Sequence, residues 1–344
     1  MKRILFLIIG LFISVVSLYL AFQGFNLGDV WDALLRVRLV FFALMIVPYV
    51  LTFLTKVWRW RVLFHPDEDR TTFGILFSSL MLSYIPLPFR TGEVARGVVA
   101  STRTKLPPAR VFSTILMEKV LDVLTLFLLL GVSLSFVSLP NDSGRGSLVL
   151  VGMVVLFGVL VLLGLILKPD LARNLARLVG GRFPDRIGSR IVAAADHALE
   201  GLAPLGKPRI ALRLGLWSLA TWLVNTVTVY LMLLAFNIEV TPIVAAVLVV
   251  GTNLSMAVPA APGYVGTFEA AVVGVLVALG QPKDVSQSFA IIYHFVGLVP
   301  VALIGLIVAI QQGINFAALR TGDAEQVAPE EQPPLRSGSG RKIT

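Results

Sequence analysis

Apolar and polar residues alternate along this chain in long blocks. Apolar runs cover Ile4 to about Phe22, Val40 to Phe64, Val111 to Leu139, Leu148 to Leu167, Leu212 to Phe236 and Val285 to Gln311. A helix of about 20 apolar residues crosses a hydrocarbon core of about 30 Å, so these runs predict six full spans. Two other places interrupt the pattern. Phe73 to Ile85 is too short to span, reaching roughly 20 Å as a helix at 1.5 Å per residue. It runs into Pro86-Leu-Pro-Phe-Arg-Thr-Gly-Glu93 and a second short run at about 92–101. The other interruption, around Pro262-Gly-Tyr-Val-Gly-Thr-Phe-Glu269, separates short runs at about 242–258 and 266–279.

The prolines at Pro86, Pro88, Pro259 and Pro262 remove backbone donors and break helices. Gly92, Gly263 and Gly266 permit close approach and unusual dihedrals. Such a backbone is tolerated at membrane depth only inside protein or along a water-filled cavity. The two breaks are also spaced alike. Pro86 to Pro262 and Glu93 to Glu269 share one offset of 176 positions, which also carries Glu118 onto His294. Interrupted segments at matching places in two halves point to a transporter binding site. The expected fold is an all-α polytopic membrane protein with two halves, about 40–139 and 212–311. Each half carries a proline-broken re-entrant helix pair.

Charge sets the orientation. With the N-terminus inside, 24 Lys and Arg fall on inner segments and 4 on outer loops, a strong positive-inside signal. The first half then opens inward-bound and the second outward-bound, so the repeat reads as inverted. Both termini are expected in the cytoplasm and the chain in the plasma membrane. The first run is read as a retained span, because it is longer than a signal-peptide core and lacks a small-residue cleavage site. Lys56, Trp58, Arg59, Trp60 and Arg61 read as a headgroup-level anchor. Residues 168–210 read as an amphipathic surface segment on anionic lipid, with Leu171, Leu175 and Leu178 against Arg173 and Arg177. The tail 316–344 reads as disordered and cytoplasmic.

Composition narrows the chemistry. Hydrophobic residues make up 56% of the chain and charged ones 14%, well below the quarter typical of soluble domains. The net charge of +9 is spread over short loops, so no nucleic-acid partner is indicated. Cysteine is absent, which removes thiol nucleophiles and cysteine metal sites. The three histidines lie far apart, and no cofactor or metal is expected. There is no GxSxG motif and no Walker-type phosphate loop.

The candidate site residues are the charges near the breaks. Thr91-Gly92 can open a half-helix with Glu93 in its first turn. A helix N-terminus beside Arg90 and Arg96 suits a lipid phosphate; the other reading makes Glu93 an ordinary first-turn acid and the arginines topology charges. Glu118 and Asp122 share a helix face. Either one of them pairs with Arg90 or Arg96, or binds a cationic headgroup or proton, or they sit near the inner interface where Lys119 snorkels. In the second half Tyr264, Glu269, Tyr293 and His294 are the candidates. Glu269 with His294 would make a proton-linked switch; alternatively His294 bonds a backbone carbonyl. Asn253 and Ser255 read as interhelical hydrogen-bonding groups.

Arg90-Thr-Gly-Glu-Val-Ala-Arg96, Glu118-Lys-Val-Leu-Asp122 and Ala261-Pro-Gly-Tyr-Val-Gly-Thr-Phe-Glu269 with Tyr293-His294 resemble the transmembrane region of lysylphosphatidylglycerol synthases and the stand-alone flippase-like proteins grouped with it. The resemblance covers about residues 1–315. It implies a lipid flippase fold of two inverted halves, and in the two-domain synthases movement of an aminoacylated phosphatidylglycerol between leaflets. Relatives are linked to polyprenyl-linked sugars and hopanoids as well. Only a polar tail follows residue 315, so lipid aminoacylation is not expected of this chain. The expectation is a flippase for an anionic phospholipid or polyprenyl-phosphate headgroup. The alternatives are a membrane-embedded transferase using Glu93 or Glu269 as base, and a non-transporting partner of a lipid-modifying enzyme. A protein partner would be such an enzyme or a second copy of the chain.

Overall fold

Four of the helices begin on proline. Pro108, Pro169, Pro208 and Pro242 each occupy the first turn, where the missing N–H costs nothing because that donor has no intrahelical partner. The computed structural model describes residues 2–87, 91–136, 168–184 and 206–314, with a few positions between 188 and 196, and side chains from Ile8 onward. Eleven α-helices lie among the described residues: α1 (Lys2–Ala21), α2 (Leu27–Leu35), α3 (Leu39–Leu63), α4 (Phe73–Leu82), α5 (Thr91–Thr104), α6 (Pro108–Leu134), α7 (Pro169–Gly180), α8 (Pro208–Ala235), α9 (Pro242–Ser255), α10 (Thr267–Ala278) and α11 (Lys283–Gln311).

Three of these, α3, α8 and α11, are long and apolar enough to cross a membrane. The chain is a helical membrane protein. α6 is as long, but Arg110, Glu118, Lys119 and Asp122 crowd its first half. The run Leu148–Leu167, the residues 88–90 and the tail 316–344 lie outside the described residues. The nine-residue α2 was not expected from the sequence. Asn26 caps it, its side chain accepting a hydrogen bond from the Gly28 N–H.

Both interrupted segments are helix–break–helix pairs. α4 and α5 are 10 and 14 residues long, α9 and α10 are 14 and 12. The order long, short, short, long runs through α3 to α6 and again through α8 to α11. α3 packs along α8 over most of their length, with Trp58 stacked on Trp217 at 6.3 Å. Within each half, the short helices pack on each other and the second of them packs on the following long helix. Across the halves, α6 packs on α9 and α11 packs on α4. Exchanging the halves therefore maps these contacts onto themselves.

Glycines set the closest approaches. Gly92 at the start of α5 faces the Leu82 and Ile85 carbonyls, so a β-carbon there would collide with the end of α4. Gly305 of α11 sits against the Met81 carbonyl in the same way. In the second break Gly263 (φ +75°) and Gly266 (φ +95°) adopt dihedrals that L side chains resist. A methyl group on Gly263 would stand 3.5 Å from the Pro86 ring carbon Cβ. The two breaks thus meet. α1 packs on α10; Ser14 accepts a hydrogen bond from the Ala261 N–H at 2.8 Å, and the Gln287 amide donates to the Ala21 carbonyl at 2.6 Å.

The anchor reading of the α3 terminus needs correction. Arg59 and Trp60 are fully buried, because α3 turns that face toward α6 and α8. Trp58 is exposed, as an interfacial residue would be.

Candidate functional site

In the first half the charges of α3, α5 and α6 converge. α5 opens at Thr91, directly after the break, which puts Glu93 in its first turn. Its carboxylate stands 2.9 Å from the Lys119 ammonium of α6. One turn into α5, Arg96 is buried and grips Glu118 with both guanidinium nitrogens, at 3.2 and 2.5 Å. Its flat face lies over the Trp60 ring, 3.7 Å from the centroid, a cation–π contact strengthened by the absence of water. Trp60 in turn donates its indole N–H to the Thr114 hydroxyl at 2.9 Å.

Arg59 extends this cluster toward α8. Nη1 reaches Asp122 at 2.7 Å and Nη2 lies 3.8 Å from Glu118. Trp222 of α8 donates its indole N–H to the same Asp122 carboxylate at 3.1 Å. Two arginines thus share two carboxylates in a buried setting, where removing one charge strands another. Even so, Arg59 Nε and Nη2 and Arg96 Nε find no hydrogen-bond acceptor among the described residues.

The second half builds its site on the glycine-rich break. Gly266 ends the break and Thr267 starts α10, so Glu269 falls in the first turn. One carboxylate oxygen accepts the Gly266 N–H at 2.7 Å, the acidic half of a capping box. The other meets His294 Nδ1 of α11 at 2.7 Å. Phe268 covers the imidazole with ring centres 4.5 Å apart and also touches Tyr293 at 5.1 Å. Tyr264, with φ +62°, lies in the break and packs on the same apolar core.

Each half therefore places a glutamate just after its break and holds it with a basic side chain from its last long helix: Glu93 with Lys119, Glu269 with His294. Of the pairings weighed from the sequence, Arg96–Glu118 and Glu269–His294 are present. Asp122 is not paired with Arg96; its partner is Arg59, because α3 rather than α5 faces that turn of α6. Arg90 and Pro88 lie outside the described residues. Among the described residues, Asn253 and Ser255 donate to carbonyls of their own helix, Val249 and Thr252, rather than to another helix.

Lys56, read from the sequence as a headgroup anchor, joins the site together with Tyr49 and Tyr84, which the sequence did not mark. The Lys56 ammonium donates to the Tyr84 hydroxyl at 3.0 Å. Tyr84 packs edge-on against Phe53, and Phe53 against Tyr49, at 5.3 and 5.2 Å. The Tyr49 hydroxyl donates to the Gly297 carbonyl of α11 at 3.0 Å, three residues past His294. An aromatic line thus joins the two clusters. The seven-residue spacing of Met45, Thr52 and Arg59, all buried, is the sequence signal that marks the inward face of α3.

The chain is similar over 305 residues, at 26% identity, to a protein of Haloferax volcanii named glycosyltransferase AglD; the match covers 79% of this chain and 49% of the relative. The chain therefore spans about half the length of the curated relative it matches. The model of the family described as the lysylphosphatidylglycerol synthase TM region matches residues 7–305, which include α1, both breaks and both clusters. The chain belongs to the lysylphosphatidylglycerol synthase transmembrane-region family.

Proposed function

We propose that the chain moves a lipid-borne headgroup between membrane leaflets. The observation that carries this reading is the meeting of the two breaks at Pro86 and Gly263, with a glutamate–base pair beside each. In this reading the breaks are re-entrant hairpins entering from opposite sides, and the two halves are inverted. Broken helices meeting within a bundle offer backbone groups and half-helix termini to a polar headgroup while its chains stay in lipid. The exchange pattern between halves supports two alternative closures of one site, and alternating exposure of the breaks would carry the headgroup across. A proton held between Glu269 and His294, or the membrane potential at about 2.3 kcal/mol per charge per 100 mV, would supply direction.

The substrate class is an anionic phospholipid or polyprenyl phosphate. The amphipathic α7 rests on anionic lipid, the membrane is the plasma membrane, and both termini face the cytoplasm. The relative named a glycosyltransferase favours a second reading, in which the chain handles a lipid-linked substrate for a transferase supplied by a separate enzyme.

The test reconstitutes the purified chain in liposomes with headgroup-labelled lipids: phosphatidylglycerol, an aminoacylated form, a zwitterionic lipid and a polyprenyl phosphate. A membrane-impermeant quencher reports leaflet. Protein-dependent loss of protection for one headgroup, absent in Glu269→Gln, is the expected result. Protection of all four, from folded protein under an imposed proton gradient or potential, would overturn the transport reading.

A further inference from the structure

Among the charges at the site, Lys56 stands apart. Arg59, Arg96 and Lys119 each reach a carboxylate. No carboxylate among the described residues forms an ion pair with Lys56, although it lies two turns inside α3. Its ammonium is held by the Tyr84 hydroxyl at 3.0 Å and flanked by the Tyr84 and Trp222 rings, with centroids 5.6 and 5.8 Å away. A charge on a membrane-crossing helix is costly unless paired or functional. One helical turn along the same face, the fully buried Arg59 pairs with Asp122 and Glu118, and its Nε and Nη2 make no hydrogen bond among the described residues. Trp222 links the two positions, since it packs on Lys56 and bonds the Asp122 that holds Arg59.

We infer that Lys56 and Tyr84 form a binding site for an oxyanion of the phosphate class. The inference rests on the transport reading and names the headgroup group that the site takes. Tyr84 lies two residues before Pro86, so the site borders the first break, where Gly263 of the second break also approaches. Lys56 suits this role chemically. An ammonium on a flexible stem can follow a moving phosphate as a point charge, whereas the guanidinium of Arg96 is locked in a bidentate pair. Tyr84 holds the ammonium in place when no anion is bound, and its hydroxyl can donate to a phosphate oxygen when one is. The Tyr84 and Trp222 rings, unlike a carboxylate, carry no formal charge that would neutralise the ammonium.

The test is equilibrium binding, which does not require transport. The full chain is reconstituted in nanodiscs with equal phosphatidylglycerol and monoglucosyl diacylglycerol, extracted, and its retained lipid counted by native mass spectrometry. A parallel arm adds inorganic phosphate to the same sample. Wild type is expected to favour the phosphate-bearing lipid. Lys56→Gln should reduce that preference about tenfold, the equivalent of one charge-assisted hydrogen bond. Lys56→Arg should keep most of it. Tyr84→Phe, which deletes only a hydroxyl and so guards against a folding failure, should lower it in the same direction. Displacement of the lipid by inorganic phosphate would show that the anion alone is recognised; retention would show that the lipid contributes.

Equal retention of the two lipids by wild type, or an unchanged preference in both Lys56→Gln and Tyr84→Phe, would overturn the site. A preserved preference for the phosphate lipid without any leaflet exchange would sink transport while leaving the anion site standing.

Discussion

Glu269 holds the Nδ1 nitrogen of His294 at 2.7 Å across the junction of α10 and α11, and its other oxygen holds the Gly266 N–H. One carboxylate therefore ties the shape of the second break to a titratable ring. Replacing Glu269 by Gln keeps the volume and the backbone contact but removes the charge. Glu269→Gln and His294→Gln should each slow leaflet exchange by about tenfold or more, with the double variant no slower than the worse single, as for two residues acting as one unit. Rates measured in the liposome assay decide it; additive losses would mean that the two residues act separately.

Arg96 and Glu118 make the opposite prediction, about stability. Removing one partner of a buried pair costs about 3–5 kcal/mol, whereas replacing both by apolar groups is often neutral. Arg96→Met and Glu118→Leu should each lower the denaturation midpoint in detergent strongly. The double variant should recover at least half of the loss, because Arg59 still has Asp122. A double variant as unstable as the worse single would show that Trp60 or Arg59 depends on the pair.

Glu93 and Lys119 are partly exposed, at 27% and 44%. An ion pair of that kind contributes about 0–1 kcal/mol. The charge swap, Glu93→Lys with Lys119→Glu, should leave the melting temperature nearly unchanged and restore the leaflet exchange that either single variant lowers. A swap that stays inactive would mean that the position of each charge matters beyond their attraction.

The glycines separate strain from packing. Gly266→Ala faces both a φ of +95° and the Ser14 backbone, so a loss of about 1–3 kcal/mol is expected. Gly305→Ala would drive a methyl group into the Met81 carbonyl and should also destabilise. Gly274→Ala, in a helix with open space around it, should be neutral or gain up to about 1 kcal/mol. Detergent unfolding curves of the three variants rank them; equal losses would mean that neither the dihedral nor the close approach decides the cost at these glycines.

Local rules made much of this legible. Prolines at Pro86 and Pro262 mark the breaks because a missing N–H acts on the nearest turns. Glu118 and Asp122, four residues apart, show a shared face on α6 for the same reason. The partner of Asp122 was hidden because Arg59 is 63 positions away and sits in a stretch rich in Lys, Arg and Trp. Such a stretch looks alike whether it faces headgroups or the bundle interior. Only the packing of α3 along α8 decides, and no periodicity within α3 reports what lies opposite. Lys56, in the same stretch, reads as a headgroup anchor, although its ammonium is held by Tyr84. The meeting of Pro86 and Gly263 was likewise out of reach, since equal spacing in two halves says that they match but not that they touch.

The contact between Ser14 and Ala261 reaches across 247 positions. During synthesis α1 enters the membrane long before the strip of backbone that it will cover exists. Its serine must wait in lipid or borrow a temporary partner until α9 and α10 emerge. The second break is therefore covered only when α1 meets a segment made 247 positions later. Closing α1 over the second break is a step that must wait for α9 and α10 to be made.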